Sequence, residues 1–196
     1  MRDAAEVMAF LARRFSVGSK HLGPPAPSEA HWTAAAALAL RAPDHGALRP
    51  FRFVIVGDEQ RALLAELFAQ DAARRGRPAG DVAGARARAF LGPGLVALVG
   101  RVRDGVADVP VTEQWVCSGA ALMNFLNALH LMGFGAKALS GASVRDPAIR
   151  AAFCEPDETL VAWVVAGTPL RAAHPKGDDD VAAAISRWRP GRPLAR

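Results

Sequence analysis

The sequence predicts one three-layer domain of the α/β or α+β class, and three observations predict it. Four short apolar runs alternate with longer segments of helical periodicity. The chain has 196 residues, 51% hydrophobic and 22% charged, which suits a single globular domain over residues 1–196 with a substantial core. No repeat and no low-complexity linker divides it.

The elements follow in order. Residues 3–14 read as a helix, with Val7, Phe10 and Leu11 on one side and a basic end at Arg13-Arg14. Residues 18–27 are rich in Gly and Pro and read as loop. Ser28 is a candidate N-cap for a helix over 29–41, which Ala42-Pro43-Asp44-His45-Gly46 breaks. The first strand covers 51–56. Asp58 is a candidate cap for a helix running to 75, and a shorter helix covers 81–90. A buried strand over 95–102 precedes the long helix 111–132. The remaining elements are a strand over 134–139, a helix over 145–153 and a strand over 160–166. Asp178-Asp179-Asp180 begins a last short helix, and the Pro/Arg-rich tail from Arg189 reads as loose. Helices between strands permit parallel pairing, and the pattern leaves strand order open.

The long helix carries more information than its length. From 120 to 132 nearly every side is apolar: Leu122, Met123, Phe125, Leu126, Leu129, Leu131 and Met132. A helix apolar all round has no solvent face. One sheet covers one side of it, so the other side is expected to meet a second copy of the chain. Ser118-Gly119-Ala120-Ala121 would allow close backbone approach there. The uncharged stretch 116–135 also invites a membrane reading. Ser118, Asn124, Asn127 and His130 within it would be costly in lipid, so a buried helix is expected instead.

Composition narrows the function classes. The formal charge of +5 is carried by arginine, since Lys20, Lys137 and Lys176 are the only lysines. The basic residues are dispersed and match no nucleic-acid motif, so no nucleic-acid partner is expected. The apolar stretch 7–12 is too short for a signal peptide and follows Asp3 and Glu6. Cys117 and Cys154 show neither zinc spacing nor a disulfide framework. A cytoplasmic protein with free thiols is the expectation.

Most chemical signatures are missing. Gly133-Phe134-Gly135-Ala136-Lys137-Ala138 fits the spacing GxGxxG/A. That fingerprint requires a strand before the first glycine and a helix after it, and here the order is reversed. Gly133 reads as a helix C-cap instead. There is no phosphate-binding P-loop and no nucleophile elbow. His21, His31, His45, His130 and His174 never fall at metal-ligand spacing. No catalytic side chain is assigned, as is common where a cofactor carries the chemistry.

Four segments carry the positive signal: Arg13-Arg14-Phe15-Ser16-Val17; Arg41-Ala42-Pro43-Asp44-His45-Gly46 followed by Pro50-Phe51; Gly133-Phe134-Gly135 followed by Leu139-Ser140-Gly141; and Gly167-Thr168-Pro169. Their order and spacing resemble the nitroreductase family over nearly the whole chain, above all its short subgroup with an RAPDH segment. The resemblance implies the α+β class, with a mixed central sheet flanked by helices and the long helix buried at a homodimer interface. It implies FMN as cofactor and NADH or NADPH as co-substrate. An Arg and a Ser hydroxyl suit a phosphate dianion, because guanidinium binds its oxygens bidentately.

By the same resemblance Arg14, Phe15 and Ser16 form the phosphate segment, with Phe15 where the family carries a second Arg and Arg13 available to replace it. Arg41 contacts the cofactor, and His45 reaches the flavin held mainly by the other subunit. Ala138, Leu139 and Ser140 lie against the flavin, with Leu139 where family members often have Arg. Residues 128–133 correspond to a nicotinamide-contact region. The implied activity is an FMN-dependent NAD(P)H oxidoreductase reducing nitroaromatics, quinones or a related small acceptor. A flavin-binding protein of the same fold with little turnover is the alternative, favoured by Phe15 and Leu139. A nucleic-acid binder is the third reading.

Overall fold

The computed structural model describes residues 3–171 and 180–188. His174, Asp178, Asp179 and the tail from Arg189 lie outside the described residues. In chain order the elements are α1 (Ala4–Ala12), β1 (Leu22–Gly23), α2 (Glu29–Ala39), β2 (Phe51–Ile55), α3 (Arg61–Arg74), α4 (Ala79–Ala87), β3 (Gly94–Gly100), α5 (Val111–Leu131), β4 (Gly135–Leu139), α6 (Pro147–Phe153), β5 (Thr159–Pro169) and α7 (Val181–Ala184).

Several boundaries have a visible local cause. Ser28 caps α2 through a capping box: its hydroxyl accepts from His31 N–H, and His31 Nδ1 accepts from Ser28 N–H at 3.1 Å. Asp180 caps α7 as its position predicts, accepting from Ala182 N–H. Asp58 does not cap α3. A 3-10 turn occupies Asp58–Gln60, and the Asp58 carboxylate pairs with Arg61 Nε at 3.3 Å instead. Gly133 does end α5: its φ is +87°, its N–H bonds His130 O, and Phe134 N–H bonds Leu129 O. This is a Schellman motif, and it accounts for the glycine without any dinucleotide site.

The sheet runs β1-β5-β3-β2, with β4 also paired to β5. All strand pairs among these elements are antiparallel. The mixed character expected of the sheet rests on one parallel bridge, Ser16 to Ala136. The helix–strand alternation permits parallel neighbours, and the connections explain why they do not form. Two helices, α3 and α4, separate β2 from β3, so the chain returns to the end it left. Between β4 and β5, α6 has seven residues, about 10 Å, too short for a full crossover. β1 falls within the stretch read as loop. It is two residues long and exists through its pairing with Thr168 and Pro169.

The three layers share two cores. On one face α2 and α5 pack on the sheet, where Trp32 stacks on Phe125 at 5.9 Å and Phe53 on Phe125 at 4.1 Å. On the other face α3, α4 and α6 pack around Trp163, which meets Phe68 and Phe153 edge-on. β3 is buried along its whole length between them.

α5 differs from its sequence reading in one respect. Phe125, Leu126 and Leu129 face inward. Val116, Met123 and Leu131 are 69%, 45% and 45% exposed on the opposite side, beside exposed Gly119. The exposed apolar face of α5 is therefore the Val116–Gly119–Met123 stripe, and Leu126 lies on the buried side. Among the described residues no helix is long and apolar enough to cross a membrane.

Candidate functional site

The open edge of β4 organises the site. Val17 N–H donates to Ala136 O at 3.1 Å, so the segment after α1 lies alongside β4. Gly135 permits this approach: a Cβ there would meet Val17 Cγ2 at 2.8 Å and Leu22 Cδ2 at 2.9 Å. The first and third motifs of the sequence are thereby brought together, and two hollows open beside them.

The smaller hollow, about 170 Å³, is lined by Arg14, Phe15, Phe134, Ala136, His130 and Arg171, among others. Arg14 is half-buried there, whereas Arg13 is exposed with its guanidinium 5.5 Å from the Phe10 ring centroid. Phe15 is half-buried against the α3-side core, which explains an apolar residue at this position. Ser16 is exposed at the bridge to Ala136. His130 is fixed by its Nε2 contact with Phe10 O at 3.0 Å and by its ring, 4.5 Å from that of Phe10.

The larger hollow is a cavity of about 480 Å³. Ala138, Leu139 and Ser140 form one wall, Phe68, Leu95, Trp163 and Val165 an apolar floor, and Arg75, Arg77 and Arg88 a basic rim. Trp163 Nε1 donates to Ser143 Oγ at 3.2 Å, which ties the floor to the wall.

The remaining two predicted residues lie elsewhere in the protomer. Arg41 is exposed beside a separate hollow with Asp44 and Arg49. Asp44 builds the loop that follows: its carboxylate accepts from Leu48 N–H at 3.0 Å and Arg49 N–H at 2.8 Å. His45 points away from that loop and places Nδ1 3.0 Å from Glu113 Oε2 at the start of α5. It borders a hollow shared with Val116, so it stands at the rim of the exposed α5 stripe.

Arg171 and the arginines that follow α3 and α4, Arg77 and Arg88, were not singled out in the sequence. Arg171 falls two residues after the Gly-Thr-Pro motif, a cue available in hindsight. For Arg77 and Arg88 there was no cue, because dispersed arginines in a loop and at a helix end read as solvated surface. Burial raises both the Cys117 and Cys154 thiols above their ordinary range, so both stay protonated. No group of three or more metal-ligating side chains occurs among the described residues.

Comparison with known proteins gives a consistent result. The sequence profile of the nitroreductase family matches residues 11–168. A protein of Escherichia coli K12, provisionally named NAD(P)H nitroreductase YdjA, is 29% identical over 168 residues, covering 85% of this chain and 88% of that protein. Two solved structures share the fold. One is the FMN-dependent nitroreductase NfnB from Mycobacterium smegmatis, in complex with NADPH, with a TM-score of 0.71, 14% identity and coverage of 95% of this chain and 100% of that one. The other is a candidate nitroreductase from Desulfovibrio desulfuricans, in complex with FMN, with a TM-score of 0.69, 17% identity and coverage of 97% and 100%.

Proposed function

The chain belongs to the nitroreductase family, and we propose that it works as an FMN-dependent NAD(P)H oxidoreductase. It would pass electrons from NADH or NADPH, through flavin, to a small acceptor such as a nitroaromatic or a quinone. The observation that carries the reading is the pair of hollows flanking one strand edge. One offers two guanidiniums, Arg14 and Arg171, and lies beside Ser16. The other offers an apolar floor under a basic rim. A dianionic phosphate suits the first set of donors and a flat heteroaromatic ring suits the second, so the residues present fit FMN.

FMN, when bound, would supply the hydride-accepting and hydride-donating chemistry. The residues of the chain do the rest. Arg14, Ser16 and Arg171 would hold the phosphate by charge-assisted hydrogen bonds. Ala138, Leu139 and Ser140 would face the ring, and Trp163 and Leu95 would exclude water beneath it. Arg41 and His45 are remote from these hollows in one protomer, so their role requires a second copy. In this reading two chains pair through the Val116–Gly119–Met123 stripe, and His45 at its rim completes the partner's site. The free thiols favour a reducing compartment such as the cytoplasm.

Steady-state oxidation of NADH and NADPH by the FMN-loaded protein, with nitroaromatic and quinone acceptors, tests the activity. Turnover that requires both FMN and an acceptor is the expected result. Firm FMN binding with no turnover for any acceptor would favour a flavin-holding protein of the same fold. Light scattering should return the mass of a dimer.

A further inference from the structure

The basic rim of the larger cavity has an internal asymmetry. Among the described residues Asp71 is the only carboxylate lining it, and Arg75 consumes that charge: Arg75 Nε lies 2.5 Å from Asp71 Oδ1, and Nη2 donates to Ala142 O at 2.8 Å. Arg86, on the same segment as Arg88, pairs with Glu66. Among the described residues Arg77 and Arg88 make no side-chain hydrogen bond or ion pair, yet both line the cavity with Leu139 and Ser140. The cavity therefore carries two uncompensated positive charges.

Neither charge hangs on a loose backbone. Arg77 closes a Schellman motif at the end of α3, its N–H bonding Ala72 O at 3.1 Å while Gly76 N–H bonds Ala73 O. Arg88 begins a 3-10 turn, Arg88–Phe90, whose exit is clamped by the buried Arg61. Arg61 donates from Nη1 to Ala89 O at 2.8 Å and from Nη2 to Pro93 O at 2.9 Å. An uncompensated cation carried on an anchored backbone beside an apolar floor is suited to an aromatic group that gains negative charge.

We infer that Arg77 and Arg88 together supply the positive charge that stabilises the reduced, anionic flavin, replacing a cation that Leu139 does not provide. The inference rests on the flavin reading above. It makes the two arginines positioning charges for the ring, with no part in holding the phosphate. Leu139 then covers the ring from one wall, while the charge arrives from the segments that follow α3 and α4.

Sulfite provides the probe, because it adds to N5 of oxidised flavin and leaves the ring negatively charged, which bleaches the visible spectrum. With FMN-loaded protein, R77A/R88A should bind sulfite about tenfold more weakly than the unmodified chain, and R77A and R88A singly should each weaken it in the same direction. The two-electron reduction equilibrium of the bound flavin should shift against reduction by about tenfold, close to 30 mV. R86A, whose arginine is paired with Glu66, should change neither quantity. L139R in the R77A/R88A background should recover sulfite affinity, which a merely structural role would not predict.

FMN bound by every variant with unchanged sulfite affinity and potential would overturn the inference and leave the flavin reading intact. Should R77A/R88A release its flavin, the single variants decide the matter, and unchanged sulfite affinity in both would overturn it. Failure of the unmodified chain to bind FMN would instead overturn the reading on which the inference stands.

Discussion

At one end of the sheet, Arg52 and Arg101 converge on Glu158. The carboxylate accepts from Arg52 Nε at 2.9 Å and Arg101 Nε at 2.6 Å, and it also takes Glu155 N–H at 2.9 Å. At the β4 edge, Arg14, Arg77 and Arg88 line hollows and have no carboxylate partner among the described residues. The formal charge of +5 describes both groups equally and distinguishes neither. Pairing distinguishes them: arginines facing a buried acid hold β2, β3 and β5 together, and arginines facing a cavity remain available for an anionic ligand.

Removing the shared carboxylate should break the first region most severely. Glu158→Gln leaves Arg52 and Arg101 without their counter-charge, and breaking a buried pair in this way costs roughly 3 kcal/mol. Urea denaturation should report that loss, while native protein keeps its flavin. The same residue gives a pH signature. Hydrogen bonding from Arg52 holds the Glu158 carboxyl down at about 2, against an ordinary 4.5. A carboxyl depressed by folding contributes stability that is complete above its unfolded value and is lost as pH falls toward the folded one. Stability should therefore decline between about pH 4.5 and 2, and that portion of the decline should vanish in Glu158→Gln.

Arg14→Ala should have the next largest effect, and on binding instead of stability. Loss of a charge-assisted phosphate contact should cost about 1.5–3 kcal/mol, or roughly ten- to a hundredfold in FMN affinity. Riboflavin, which lacks the phosphate, should lose much less. Arg13→Ala is the control, since Arg13 sits over Phe10 and outside the hollow. A larger, FMN-selective loss for Arg13→Ala would move the phosphate contact to that residue and erase the contrast between the two arginines.

His45→Ala should be the mildest change. His45 is exposed and touches Glu113 alone among its side-chain hydrogen bonds, so stability should move by about 0.5 kcal/mol or less. Flavin retention should nevertheless fall under the proposed pairing, in which the histidine serves the second copy's site. Normal flavin content and normal turnover would make His45 a turn residue only.

Much of the fold was legible from local rules. Ser28, Gly133 and Asp180 each end a helix for reasons contained within three or four residues, so sequence located them. β1 was not legible, because two residues become a strand only through Thr168 and Pro169 far along the chain. Asp58 looked like a cap until Arg61 claimed its carboxylate. The inward turn of Leu126 and the outward turn of Met123 could not be separated in a helix apolar on every side. Motif order singled out Arg14, Ser16 and Leu139, which the fold brings beside the two hollows at β4. The rim arginines Arg77 and Arg88 were not singled out, because their place at the cavity and their lack of a side-chain partner among the described residues emerge only from tertiary contacts.

The visible absorption spectrum of freshly purified protein, followed by identification of the cofactor released on denaturation, tests the central claim most directly. A yellow protein that releases FMN is the predicted result. A colourless protein that does not take up added FMN would contradict it.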